Sequence, residues 1–188
     1  PPLSLYGHHQ TQNAALALMA LKGSGLATDL AAAAEGAGQA DWPARVQKLK
    51  DGHLTQLAGR TVWLDGAHNV HGARALVASL SSLYPRKWII VFGALDTRPA
   101  DEFLSVIKPI ADRIYCLTIP NQPAALKAST LVSRAQTLGL KADTANDIPS
   151  ACRAIGISPI SSKNKVPPED NSNLPIRDFS APVNAPFS

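Results

Sequence analysis

Trp88-Ile89-Ile90-Val91-Phe92 is an unbroken apolar run that stops at Gly93. A run of this length bounded by a turn residue reads as a strand buried on both faces of a parallel sheet. The segments on either side agree with that reading. Residues 70–83 carry apolar side chains at helical spacing, and residues 61–65 form a short strand ending on Asp65-Gly66. Downstream, Pro99 opens a helix whose first turn carries Asp101 and Glu102, the sign that suits the helix dipole. A strand over 114–117, a helix over 124–138, a strand over 140–142 and a helix over 147–154 follow. Strand and helix alternating at short spacing predict a Rossmann-like open, mostly parallel α/β sheet flanked by helices.

The amino-terminal stretch has a different rhythm. Residues 10–21 are rich in Ala and Leu without Gly or Pro, which predicts a helix closed by Gly23. A second helix is expected from Thr28 or Asp29 to about Gly36, and Asp41-Trp42-Pro43 then breaks the chain. A strand over 45–49 follows, with a turn at Asp51-Gly52 leading toward the strand over 61–65. Beyond Gly156, residues 157–188 are dominated by Pro, Ser and Asn with no periodicity. Such a composition does not offset the entropy of ordering and predicts a disordered tail.

Composition narrows the class further. A hydrophobic share of 45% and a mean hydropathy of -0.02 describe a globular protein with no run long enough to span a bilayer. The net charge of +4 comes from scattered residues with no aromatic interleaving, which argues against nucleic-acid binding. Cys116 and Cys152 have no metal-ligand spacing and read as buried thiols in a reducing compartment. A cytoplasmic location is therefore expected.

Three polar constellations carry possible chemistry. Gly7-His8-His9-Gln10-Thr11-Gln12-Asn13 stands at the mouth of the first helix. The Asn13 amide pairs a donor with an acceptor, as adenine recognition requires, but taken alone these residues are better explained as capping and solvating a helix start. Trp42-Pro43-Ala44-Arg45 places an arginine after a rigid dipeptide. Arg45 is either a phosphate clamp or a surface arginine beside a packed tryptophan. The most specific is Asp65-Gly66-Ala67-His68-Asn69, lying between a strand and a helix, where open α/β sheets bind ligands. There Asp65 is able to accept both hydroxyls of a ribose; the competing reading is a tight turn in which Asp65 caps the helix.

Taken in order, L-Y-G-H-H-Q-T-Q-N-A-A-L-A, W-P-A-R, L-D-G-A-H-N and V-F-G-A-L resemble the folylpolyglutamate synthase/dihydrofolate synthase family of the Mur ligase superfamily. The resemblance implies ATP-dependent ligation of L-glutamate to a folate or to dihydropteroate through an acyl phosphate. It implies that Asn13 meets adenine, Arg45 the ATP phosphates and Asp65 the ribose. It further implies that His68, Asn69 and Arg98 face glutamate or phosphate. It divides the chain into residues 1–43, the end of a central ATPase domain, and residues 44–156, the Rossmann-like C-terminal domain.

Departures from the family pattern are specific. Ala44 stands where Gly is usual, Val70 where Pro is usual, and Asp96-Thr97-Arg98-Pro99 where a lysine-containing motif is usual. The sequence contains no G-x-x-x-x-G-K-[ST] phosphate loop. No complete catalytic set and no metal site are therefore expected in this chain. The Mg2+ ligands and the P-loop domain are expected upstream as a missing partner, and the chain alone is expected to be inactive. The Pro/Ser/Asn tail replaces an expected last strand, as a frameshift or gene truncation would produce. Two other readings stand beside this one: a fragment of a different Mur-type amino-acid ligase, and a non-catalytic α/β nucleotide-binding module.

Overall fold

The computed structural model describes residues 2–26 and 29–157. Its centre is a three-stranded parallel sheet of β3 (Trp88–Phe92), β4 (Ala111–Cys116) and β5 (Ala142–Thr144), in that order. Alternate side chains of the strands feed two cores. Phe92, Ile114 and Cys116 join Leu104, Ile107 and Leu131 from α5 (Ala100–Ile107) and α6 (Ala128–Thr137), together with Ala73 of α4 (Val70–Leu83). On the opposite face, Tyr115, Ile89 and Val91 meet α3 (His53–Ala58) and α7 (Ile148–Ile157) through Ala58, Ala151, Cys152 and Ile155. The result is the three-layer α/β arrangement that the alternation of elements predicts.

Several boundaries differ from the sequence reading, each for a local reason. Asp51-Gly52 does not turn directly between strands. Gly52 instead caps α3, where Thr55 Oγ1 accepts from Gly52 N at 2.9 Å. The strands expected over 45–49 and 61–65 shrink to β1 (Gln47–Lys48) and β2 (Trp63–Leu64), an antiparallel ribbon separate from the main sheet. The helix expected from residue 124 begins at Ala128. Residues 124–126 are engaged elsewhere: Asp96 N donates to Ala124 O at 2.8 Å and Leu126 N to Ala94 O at 2.9 Å. The strand placed over 140–142 lies at Ala142–Thr144, and the last helix runs to Ile157. Beyond Ile157, the predicted tail lies outside the described residues.

α1 (His8–Ser24) continues through Gly23 and ends at Gly25, whose left-handed backbone (φ 70) terminates it. α2 (Leu30–Gly38) starts at Asp29, whose Oδ1 accepts from Ala31 N and Ala32 N. α1 meets α4 near its start, where Gly7 faces Ser79. Of its residues only Gln10 is buried, while Leu16 is 68% and Met19 71% exposed.

A third cluster joins the two parts. Val46, Leu80 and Ile110 pack with Tyr6, Trp63 and Trp88, and the Trp63 ring meets Tyr6, Tyr84 and Trp88 edge to face at 6.2–6.4 Å. The buried Nε1 atoms of Trp63 and Trp88 have no hydrogen-bond partner among the described residues.

Candidate functional site

The site is built where α1, the segment before β1 and the turn after β2 converge. Gly7, with φ 109, precedes α1; a Cβ on it would stand 2.5 Å from His9 Cε1 and 2.6 Å from Ser79 Oγ of α4. Only glycine allows this close approach at that backbone angle. The first turn of α1 has no side-chain cap, so the simple capping explanation of its polar residues does not hold. They bond one another instead: His9 Nε2 lies 2.9 Å from Gln10 Nε2, and Asn13 Nδ2 donates to Gln10 Oε1 at 3.1 Å.

Arg45 sits in a turn of unusual backbone. Ala44 and Val46 on either side have φ of 58 and 46, the left-handed region that L side chains avoid. Three hydrogen bonds hold them there. Ala44 N donates to Gln47 Oε1 at 3.0 Å, Gly66 N to Ala44 O at 2.9 Å, and Val46 N to Asp65 Oδ2 at 2.8 Å. The exposed Arg45 side chain folds back, with Nη1 3.0 Å from Ala44 O, and lies over Gly66, where a Cβ would be 2.8 Å from Nη1. Trp42 is 64% exposed, so it is not the packed neighbour that one reading of this motif supposed.

Asp65 organises the turn rather than the helix. Its Oδ1 accepts from Ala67 N and its Oδ2 from Val46 N, both at 2.8 Å. The cap of α4 is Asn69, whose Oδ1 accepts from Gly72 N at 2.8 Å. His68 is exposed, with Nδ1 2.9 Å from Gly66 O. Arg98 is also exposed, on the loop between β3 and α5. Ala67 of the 65–69 turn and Ala94 of the 93–98 loop pack against the same core cluster.

The charges meet at His9. Partial burial of its ring lowers the pKa below the ordinary 6.5; Asp65 opposes that shift, and His71, Arg45 and His8 add to it. His9, Arg45 and Asp65 are thus electrostatic neighbours, with His71 of α4 beside them. Gln47 and His71 were not singled out from sequence. The spacing of His71, one turn after His68 on the same helix start, was the available signal. Among the described residues, no three His, Cys, Asp or Glu side chains gather as a metal site.

A Rossmann-like α/β domain with a polar cluster beside its separate two-stranded ribbon is the class that this fold and site define. Residues 45–159 match the Mur ligase, glutamate ligase domain, and the chain belongs to that family. It is 30% identical over 135 residues to the dihydrofolate synthase/folylpolyglutamate synthase of Mycobacterium tuberculosis, covering 69% of this chain and 26% of that protein. The structure of Mycobacterium tuberculosis folylpolyglutamate synthase complexed with ADP superposes with a TM-score of 0.70 at 27% identity, over 81% of this chain and 33% of that one. E. coli FolC in complex with DHPP and ADP gives a TM-score of 0.63 at 26% identity, over 76% and 32%. The chain therefore spans between a quarter and a third of the length of these relatives.

Proposed function

We propose that this chain supplies one wall of the ATP site of a ligase that adds L-glutamate to a folate, to dihydropteroate, or to both. In this reading, residues 1–43 end a central ATPase domain and residues 44–156 form the C-terminal domain. The observation that carries it is the meeting of Arg45 and Asp65 at the Gly66 turn, with His9 of α1 in electrostatic reach of both. The donor set fits a nucleotide. Arg45 offers an exposed guanidinium for phosphate oxygens. Asp65 spends one acceptor site of each oxygen on backbone and keeps the others for ribose hydroxyls. Asn13 stands exposed for the base edge. His68, Asn69 and Arg98 are assigned to the glutamate or phosphate side.

The chemistry asked of these residues is positioning and charge neutralisation. The γ-phosphoryl group passes from ATP to the substrate carboxylate, giving an acyl phosphate and ADP. The amine of glutamate then attacks the acyl carbon and phosphate leaves. Mg2+ and the phosphate loop belong to an upstream part in this reading, and the reaction belongs to the cytoplasm.

Calorimetric titration of the chain with ATP and ADP tests the wall directly. Binding is expected, weakened about tenfold or more by Arg45→Ala. Adding a separately produced P-loop part from a relative should then restore ATP-dependent glutamate addition to a folate. Absence of nucleotide binding together with absence of complementation would overturn the reading. Tight nucleotide binding without complementation would favour a non-catalytic nucleotide-binding module.

A further inference from the structure

The three segments that carry the site are fastened in one place. Tyr6 stands three residues before His9, Val46 follows Arg45, and Trp63 stands two residues before Asp65. All three pack into the cluster that holds Leu80, Ile110 and Trp88. The ribbon pairs Gln47 with Leu64, so the next residues along, Val46 and Asp65, come together, and Asp65 Oδ2 accepts from Val46 N at 2.8 Å. Trp63 is the hub. Its ring meets Tyr84 and Trp88 of the α/β domain edge to face. From the other part of the chain it meets Tyr6, with ring centroids 6.3 Å apart and planes at 74°.

Among the described residues, Tyr6 is the only side chain of residues 1–43 in any of the hydrophobic clusters. Burial pushes its hydroxyl above the ordinary 10.0, and the neighbouring Tyr84 adds to the shift. The two cores that cover the parallel sheet do not include it. We propose that Tyr6 is a positioning residue of the nucleotide site, whose contact with Trp63 holds the start of α1 in register with the Arg45–Asp65 turn. The proposal rests on the reading of the site as one wall of an ATP site, with the base toward α1 and the phosphates toward Arg45. It adds the side chain that keeps those two halves together.

The two halves are fastened differently. The Arg45–Asp65 turn is held by its own hydrogen bonds and by the buried Val46, and neither needs Tyr6. The start of α1 is held by Tyr6 and by the close approach of Gly7, the next residue, to Ser79. Releasing the Tyr6 ring frees Gly7 as well, and with it the turn that carries His9. A ligand that touches only the Arg45 turn is indifferent to this tie. A ligand that spans both halves depends on it, because misplacement of one half costs binding to the whole. His9 registers the tie without a ligand: burial lowers its pKa, Asp65 opposes, and His71, Arg45 and His8 add to the lowering.

Calorimetry of the whole chain with ATP and with inorganic tripolyphosphate separates the halves. Tyr6→Ala should weaken ATP binding about tenfold and leave tripolyphosphate binding unchanged. Tyr6→Leu keeps apolar bulk without the ring edge; it should show the same split, and it decides the matter where alanine unfolds the chain. Tyr6→Phe keeps the ring and should keep both affinities. Equal weakening of the two ligands, an ATP affinity unchanged in Tyr6→Ala and Tyr6→Leu, or a loss in Tyr6→Phe overturns the proposal. Proton NMR titration of His9 supplies the ligand-free measurement. Its midpoint should lie below 6.5 in the wild type and in Tyr6→Phe, and return toward 6.5 in Tyr6→Ala and Tyr6→Leu. A midpoint indifferent to these changes likewise overturns the proposal. If the wild type binds neither ATP nor tripolyphosphate, the ATP-site reading fails, and the tie between α1 and the turn is decided by the His9 titration.

Discussion

Replacing Ala44 by Gly should stabilise this protein, whereas the same replacement at Val46, two residues on, should destabilise it. Both residues have left-handed backbone, φ 58 and 46. An L side chain there costs about 1–2 kcal/mol, because its Cβ crowds the following carbonyl. Glycine removes that cost but returns about 0.4–1 kcal/mol through the greater freedom of the unfolded chain. For Ala44, which contributes only a methyl, the balance is a gain of about 0.5–1 kcal/mol. Val46 is 3% exposed and packs with Leu80 and Ile110. Its removal forfeits about 1.5–3 kcal/mol of burial, which outweighs the relief. Urea unfolding followed by circular dichroism gives both values, and Ala44→Gly should also raise the melting temperature by a few degrees. A destabilising Ala44→Gly, or the same sign at both positions, would show that the turn is not strained as described.

Asp65→Asn places an amide nitrogen opposite one of two backbone donors and should cost about 1.5–3 kcal/mol, read as a fall in urea midpoint with unchanged slope. Val70→Pro should stabilise by about 0.4–1 kcal/mol, because the position is the first of α4 and Asn69 before it is extended (φ -142, ψ 170); a loss in thermal melting would contradict this. Burial, helped by the Asp143 carboxylate, pushes the Cys116 thiol up from 9.0 to about 11. Because the folded state holds this proton more tightly, the associated stability is complete below pH 9 and is lost as pH rises toward 11. Relative to Cys116→Ala, the wild type should lose about 2 kcal/mol between pH 8 and 11 in parallel urea titrations.

Elements whose signal is local were legible from the sequence. The strand Trp88–Phe92 and the helix Val70–Leu83 stand where the apolar run and the helical spacing put them. α3 was missed because six residues give too little period to register, and its cap depends on one threonine. The late start of α6 depends on backbone bonds to residues 94–96, some thirty positions upstream in the chain, which no local pattern carries. In the candidate site, the motifs drew attention to Arg45, Asp65 and Asn13. The left-handed turn that aims Arg45 was not readable, because alanine and valine give no hint of positive φ. The order in which His9, Gln10 and Asn13 hand on their hydrogen bonds needed atomic positions.

The aromatic cluster also makes the molecule its own optical probe. Trp63 and Trp88 share one buried cluster with Tyr6, while Trp42 is 64% exposed. Their emission should separate into a blue component from the cluster and a red one from Trp42. Detachment of α1 and α2 would withdraw Tyr6 from the face of Trp63 while leaving Trp88 on its strand. Opening of the sheet would instead expose both buried indoles. With Trp42 replaced by Phe, fluorescence alone can follow whether the short N-terminal part and the larger domain come apart in one step or two.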